Sequence, residues 1–244
     1  MKKTAEAIPF YDLHSHFLPG MDDGAKTPEI SLAMLSEMKK QGLKGIVATS
    51  HYYADRESIN SFLKRRAESF LLLEEAAQKA GFELPPIALG CEAAYYSGLV
   101  YDDDLEKLCF GKSNFLLLEM PFSRWTPQVM HDVRQIAATR NIRLIIAHLE
   151  RFIGIGSKDQ INELIDSDAL IQVNAENFYT KSDQKTIVKM IKAGSVQLLG
   201  SDSHNMEHRP PNMNLAIEKL QKANLTDELL EILSNNRAVV KAAL

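Results

Sequence analysis

Asp12-Leu13-His14-Ser15-His16 follows a short apolar run, Ile8-Pro9-Phe10-Tyr11, near the start of the chain. The run reads as a buried strand, and its end governs how the rest of the chain is read. On extended backbone, side chains two apart share a face, so the imidazoles of His14 and His16 point the same way. Two neutral imidazoles converging from one strand end begin a metal site. The next stretch, Leu18-Pro19-Gly20-Met21-Asp22-Asp23-Gly24-Ala25, carries Pro and Gly residues that force a turn. Its two carboxylates can fold back toward the same point. The histidine pair alone is equally compatible with a surface pair at a strand end. The remaining 220 or so residues separate the two readings.

Six more short apolar runs follow. They are Gly45-Ile46-Val47-Ala48-Thr49-Ser50-His51, Pro86-Ile87-Ala88-Leu89-Gly90-Cys91-Glu92, Phe115-Leu116-Leu117-Leu118-Glu119, Ile142-Arg143-Leu144-Ile145-Ile146-Ala147-His148, Ala169-Leu170-Ile171-Gln172-Val173-Asn174-Ala175 and Val196-Gln197-Leu198-Leu199-Gly200-Ser201-Asp202. Helical patterns separate them. The first starts at Thr27 as N-cap with Pro28 in the first helical position, and runs to Gln41 before Gly42. Others are expected over 57–80, 127–140, 158–166, 182–193, 212–223 and 226–235, with a last helical turn closing the chain. Residues 95–112 read as irregular, with Asp102-Asp103-Asp104 a solvated turn. Runs apolar throughout read as parallel strands buried on both faces, and their alternation with helices gives βα units. Such units close into a barrel or form an open doubly wound sheet.

At 244 residues with 45% hydrophobic residues, the chain fits one large domain, 1–244, with a substantial core. No linker or repeat divides it. A net charge of −4 and a pI near 6.0 give no basic footprint for nucleic acid. No apolar run reaches the roughly 20 residues needed to span a bilayer. The start, Met1-Lys2-Lys3-Thr4-Ala5-Glu6, has basic residues with no apolar stretch behind them, so no secretory signal is expected and a cytoplasmic setting is. Cys91 and Cys109 have no CxxC spacing and are expected as buried free thiols.

Six of the seven runs end on His, Glu or Asp: His14/His16, His51, Glu92, Glu119, His148 and Asp202, with His204 two residues beyond. One polar residue leaving a strand means little. Here, however, five of the seven histidines fall at these ends, and in a parallel barrel all the ends open on one face, where active sites are built. With Asp23 the set is nine nitrogen or oxygen donors and no thiolate. That chemistry suits two or three divalent ions such as Mn²⁺, Fe²⁺ or Zn²⁺, with Mg²⁺ also possible, and not a closed structural zinc site. His131, inside an expected helix, reads as a surface residue, and His208 is left unassigned.

The motifs now form an ordered series: Asp12-Leu13-His14-Ser15-His16, Pro19-Gly20-Met21-Asp22-Asp23-Gly24, Thr49-Ser50-His51, Gly90-Cys91-Glu92, Leu118-Glu119-Met120-Pro121, Ala147-His148-Leu149-Glu150-Arg151 and Gly200-Ser201-Asp202-Ser203-His204. The series resembles the PHP (polymerase and histidinol phosphatase) family over nearly the whole chain. More narrowly, the Pro-Gly-x-Asp-Asp-Gly-Ala turn is similar to that of the bacterial manganese-dependent tyrosine-protein phosphatases of capsule and exopolysaccharide synthesis. The resemblance implies a distorted seven-stranded (βα) TIM-like barrel with a trinuclear metal centre, Mn²⁺ being the expected ion. Carried over motif by motif, it implies His14, His16, Asp23, His51, Glu92, Glu119, His148, Asp202 and His204 as metal ligands. It implies Arg151 as catalytic arginine and Arg209 as a second phosphate-binding one. Ser50 and Leu149 stand where that family usually has Pro, which bears on loop geometry.

The expected chemistry is hydrolysis of a phosphoric monoester, with a metal-bridging hydroxide attacking phosphorus in line and arginine forks on the phosphoryl oxygens. No motif supplies a general acid, and no Cys-x5-Arg loop is present. The leading expectation is a phosphatase acting on phosphotyrosine of a capsule or exopolysaccharide tyrosine kinase. The alternatives are a small-molecule phosphatase, as for histidinol phosphate, a nuclease-like phosphoesterase, or a non-catalytic barrel that binds such a kinase. Tyr52, Tyr53, Tyr95, Tyr96, Phe122 and Trp125 all follow strand ends and are expected to rim the opening.

Overall fold

Residues 8–244 are described by a computed structural model; the reading of residues 1–6 as lacking a secretory signal lies outside the described residues. In chain order the strands are β1 (Phe10–Asp12), β2 (Leu43–Ala48), β3 (His51–Tyr52), β4 (Ile87–Leu89), β5 (Glu92–Ala94), β6 (Phe115–Glu119), β7 (Arg143–Ile146), β8 (Leu170–Asn174) and β9 (Leu198–Gly200). The helices are α1 (Pro28–Gln41), α2 (Ile59–Ala80), α3 (Pro127–Thr139), α4 (Lys158–Ile165), α5 (Lys181–Lys192), α6 (Met213–Lys222) and α7 (Thr226–Ala243). The irregular stretch after β5 holds two short 3-10 turns, Leu99–Tyr101 and Leu105–Leu108.

The seven expected runs are all present and all pair in parallel, in the orders β1-β2-β4 and β3-β5-β6-β7-β8-β9. Two of the runs are broken, which is why nine segments appear. β2 and β3 are one run interrupted at residues 49–50, and β4 and β5 one run interrupted at 90–91. The register survives both breaks, since Ala48 pairs with Leu89 and His51 with Glu92. At the break the ladder is replaced by other bonds. Thr49 Oγ1 accepts from the Ser15 amide at 2.8 Å, and the Glu92 amide reaches both the Thr49 and Ser50 carbonyls. The curled sheet closes on itself where β9 meets β1. Ser15 bridges Ser203, the Asp202 amide donates to the His14 carbonyl at 2.8 Å, and the His16 amide to the Ser203 carbonyl at 2.9 Å.

Period-two alternation along these strands divides the apolar residues between two cores. Val47, Ala88, Leu117, Ile145 and Leu198 belong to a small inner cluster with Leu13 and Phe110. Val239, Val240 and Ala243 of α7 join that cluster and plug the end of the barrel where the strands begin. Ile46, Ala48, Leu116, Leu118, Leu144, Ile146 and Leu199 face outward into the larger core under the helices. α7 corrects the expectation of a helix ending at 235 with a separate last turn: it is continuous over 18 residues. The weak helix formers at its middle are overridden by packing. Asn236 is fully buried, its amide donates to the Tyr11 and Leu199 carbonyls, and it accepts from the Leu199 amide. With one end plugged, the polar mouth of the barrel among the described residues is the opposite one, where the strands end.

Candidate metal centre

Every residue expected as a ligand lies at that mouth. His14 and His16 follow β1, His51 lies in β3, Glu92 begins β5, Glu119 ends β6, His148 follows β7, and Asp202 and His204 follow β9. The Asp23 turn folds back over them because the Ala25 amide donates to the His16 carbonyl and the Gly20 amide to the Ala25 carbonyl. Gly24 is required here, since any side chain would meet the His16 carbonyl oxygen at 2.0 Å. The nine side chains fall into four overlapping groups: His14/His16/Glu92, His14/His148/Asp202, His51/Glu92/Glu119 and His16/Asp23/His51/His204. Within each group one donor atom per residue lies within 4.8 Å of the others. His131 and His208 join none of these groups and are exposed.

The first two groups share a cage. His14 Nε2 lies 3.3 Å from His16 Nε2, 3.4 Å from Glu92 Oε2 and 3.4 Å from Asp202 Oδ1. His16 Nε2 lies 3.3 Å from Glu92 Oε2 and 3.4 Å from Asp202 Oδ1. Donors about 2.1 Å from one ion at tetrahedral angles stand about 3.4 Å apart. His14 Nε2 and His16 Nε2 make a triangle of that size with Glu92 Oε2 and a second one with Asp202 Oδ1, so either carboxylate oxygen can share a small divalent ion with the two imidazoles. Hydrogen bonding alone does not account for two imidazole nitrogens that each stand 3.3–3.4 Å from one another and from both carboxylates.

The ring tautomers follow from fixed donors nearby. The His148 backbone amide, which can only donate, bonds Gln172 Oε1 at 3.0 Å. That assigns the Gln172 oxygen, so His14 Nδ1, 3.0 Å from the same oxygen, must donate too, and His14 Nε2 keeps its lone pair for the cage. His16 Nδ1 likewise donates to Asp22 Oδ2 at 2.8 Å, and His204 Nδ1 to the Asp202 carbonyl at 2.9 Å. Burial disfavours charge on His16, yet Asp22, Asp202 and Glu92 together outweigh it and hold His16 well above the usual imidazole range. The same contest raises His148 to about 9, with Glu119 and Glu92 overcoming burial. Carboxylates packed around an imidazole favour its protonated form in this way. His204 goes the other way: burial first, then repulsion from His16, push it down to about 3.

Asp202 divides its oxygens. Oδ1 faces the cage, while Oδ2 accepts from Asn174 Nδ2 at 2.6 Å, from Arg151 Nη2 at 2.8 Å and from Arg209 Nη2. Both expected arginines therefore stand at the edge of the cluster, each about a quarter exposed. His148 and Asp202 have φ of 33° and 51°, a left-handed backbone that costs non-glycine residues about 1–3 kcal/mol. Strain of this kind accumulates where side chains must be aimed.

The sequence profile for capsular polysaccharide synthesis proteins CpsB/CapC matches residues 10–241. The chain belongs to the CpsB/CapC family. The tyrosine-protein phosphatase CpsB of Streptococcus pneumoniae is 29% identical over 240 residues, covering 92% of this chain and 95% of that protein. The tyrosine-protein phosphatase YwqE of Bacillus subtilis is 26% identical over 245 residues, covering 92% and 89%. Among solved structures, one from a pair comprising B. subtilis YwqE and S. pneumoniae CpsB, described as metal-dependent tyrosine phosphatases, matches at TM-score 0.83 and 21% identity, over 95% of this chain and 94% of that one. Histidinol phosphate phosphatase from Lactococcus lactis matches at TM-score 0.54 and 14% identity, over 90% and 93%, which extends the likeness in fold to the PHP barrels.

In this CpsB/CapC chain, four of the six aromatic residues expected at the rim are packed away instead. Tyr52 and Trp125 are buried, the Tyr95 hydroxyl donates to Asp132 and the Tyr96 hydroxyl to Asp102. Their loops turn inward against the helices. Tyr53 and Phe122 do flank the cluster. Tyr53 lies 5.3 Å from the His51 ring, and Phe122, 59% exposed, lies 6.4 Å from the His148 ring. The residues missed at the sequence level are Gln172, Asn174 and Glu176. They sit on β8 and its following turn, the one run whose end carries no His, Asp or Glu. The polar Gln172 and Asn174 in an otherwise apolar run were the available signal.

Proposed function

We propose that this chain is a metal-dependent tyrosine-protein phosphatase of the CpsB/YwqE type, hydrolysing phosphotyrosine on a tyrosine kinase of capsule or exopolysaccharide synthesis. The observation that carries the reading is the four-donor cage of His14, His16, Glu92 and Asp202 in a chain matched almost end to end by the family. The proposal takes all nine donors as ligands of two or three divalent ions, with Mn²⁺ the resident metal, and takes the work to be done in the cytoplasm by one domain. Among the described residues no helix is long and apolar enough to cross a membrane.

Bound divalent ions acidify water and offset charge on phosphoryl oxygens. The chain's own side chains do the rest. Arg151 and Arg209 offer guanidinium donors where equatorial oxygens gain charge. Among the described residues, the side-chain hydrogen bonds of Arg151 run through Nη2 alone, which leaves its Nε and Nη1 for a ligand. Gln172 and Asp22 hold His14 and His16 in the ligating tautomer. No side chain is needed to protonate a phenolate, since a phenol with pKa about 10 leaves far more readily than an alkoxide.

Depth adds to the preference. His14, His16, His148 and His204 are buried, and the cluster opens beside Asp23, whose side chain is 66% exposed, and His51. A cavity of about 710 Å³ lined by Asp22, Asp23, His51, Tyr53, Arg56 and Arg65 lies there. A phosphate on a long, flat phenol reaches such a recess better than one on a serine. The test is hydrolysis of one peptide scaffold carrying either phosphotyrosine or phosphoserine, with histidinol phosphate in parallel. Preference for phosphotyrosine is expected. Equal kcat/KM on both peptides, or preference for histidinol phosphate, would overturn the reading in favour of a general or small-molecule phosphatase.

A further inference from the structure

Glu176 lies on the 3-10 turn Ala175–Phe178 that follows β8, anchored by the buried Ala175 and Phe178. It is in none of the donor groups. Its two carboxylate oxygens are split between two arginines from different parts of the chain. Oε1 accepts from Arg151 Nη2, and Oε2 accepts from Arg209 Nε at 3.2 Å. The same two arginines also meet at one oxygen of Asp202. Two guanidinium groups within reach of a single oxygen repel each other, and each stands at the end of a long side chain, from a 3-10 turn for Arg151 and a loop for Arg209. Arg209 has one more tie, from Nη1 to His204 Nε2 at 2.9 Å, whereas among the described residues the Arg151 guanidinium has only the two carboxylates.

We propose that Glu176 is the positioning residue of the arginine pair: its forked carboxylate spaces Arg151 and Arg209 and presents them together to the phosphoryl group. This rests on the phosphatase reading above. The geometry fits a holder and not a ligand. A carboxylate with one oxygen on each guanidinium offsets their repulsion from the side away from Asp202, and it fixes the plane of Arg151 so that Nε and Nη1 stay unoccupied. A neutral amide at this position keeps one acceptor, and its NH₂ end then faces a donor. Shortening the side chain by one methylene keeps the charge and the fork.

The test uses the Mn²⁺-loaded chain and four variants: Glu176→Gln, Glu176→Asp, Arg151→Ala/Arg209→Ala, and that double variant with Glu176→Gln added. The readouts are metal content, Tm, kcat and KM on a phosphotyrosine peptide, and the Kd of inorganic phosphate by calorimetry. Glu176→Gln is expected to lower kcat/KM and to weaken phosphate binding, each by about tenfold, with metal content and Tm unchanged and partial recovery in Glu176→Asp. In the arginine-free background the same change should alter phosphate affinity by less than about twofold, because a residue that acts through a pair has nothing left to act on. An undiminished effect in that background, or unaltered phosphate affinity in Glu176→Gln, would overturn the role. If the unmodified chain does not cleave the peptide, the phosphatase reading fails by itself, and the phosphate titrations still decide the role of Glu176.

Discussion

Replacing Gln172 with Leu removes a side chain that touches no substrate, yet it should loosen both the fold and the metal site. Gln172 is fully buried, and its oxygen accepts from His14 Nδ1 and from the His148 amide, both at 3.0 Å. Its nitrogen donates to Asn174 Oδ1 at 2.7 Å. Leucine fills nearly the same volume, so little cavity forms, and the cost is the two donors left without acceptors. A buried orphaned donor costs about 1–3 kcal/mol, which gives about 2–6 kcal/mol for the pair. In a chain of this size about 1 kcal/mol shifts Tm by 2–4 °C, so Tm of the chelator-treated variant should fall by at least about 4 °C. With the Nδ1 partner gone, His14 is free to rotate or change tautomer, and Mn²⁺ affinity by calorimetry should fall about 10–100-fold. Gly200 adds to the sensitivity, since a Cβ there would meet His14 Cβ at 2.7 Å and Gln172 Nε2 at 2.9 Å, so the site has little room to readjust. Unchanged Tm together with unchanged Mn²⁺ affinity would refute the reasoning that Gln172 fixes the His14 tautomer.

Arg151→Ala should keep the metals by elemental analysis and lose about 10²–10³ in kcat on an aryl phosphate, the usual cost of one transition-state donor; a fall of less than about tenfold would remove its catalytic role. Mn²⁺ affinity should rise with pH from about 6.5 to about 9, because protons compete for imidazoles that the metal-free pocket holds high, His148 at about 9; a flat titration would contradict the anionic cage. In the metal-free protein the sign is reversed. The raised His148 contributes stability fully below its unfolded pKa of about 6.5, and that contribution disappears as pH rises through about 9, which a pH series of Tm under chelation reads directly.

Much of this architecture could be read from the chain because parallel strands buried on both faces announce themselves as apolar runs, and because the candidate ligands stand where those runs end. That rule brings His51, Glu92 and Glu119 to the same mouth. The two breaks at 49–50 and 90–91 were not, because they come from bonds between neighbouring runs, such as Ser15 to Thr49, that no local pattern encodes. Asn236 hid the continuity of α7, since its three backbone partners lie 37 to 225 residues away. The search for ligands passed over β8 because amides are poor ligands, yet amides suit the task of holding ligands: Gln172 orients His14, and Asn174 donates to Asp202. Asp22 was seen as a carboxylate near the site, and only the fold separates its hydrogen bond to His16 from the exposed position of Asp23. The aromatic rim failed for a related reason, since whether Tyr52 or Trp125 faces solvent depends on the path of the loop after the strand.

The claim on which the rest depends is that the His14, His16, Glu92 and Asp202 cage holds a divalent ion. Anomalous diffraction at the manganese edge, from crystals of Mn²⁺-loaded protein that is active in solution, tests it directly. The account predicts a strong peak at coordination distance, about 2.0–2.2 Å, from His14 Nε2 and His16 Nε2, with at least one more peak among His51, Glu119, His148 and His204. Density for all four cage side chains with no anomalous peak between them, in protein that still hydrolyses phosphotyrosine, would contradict it.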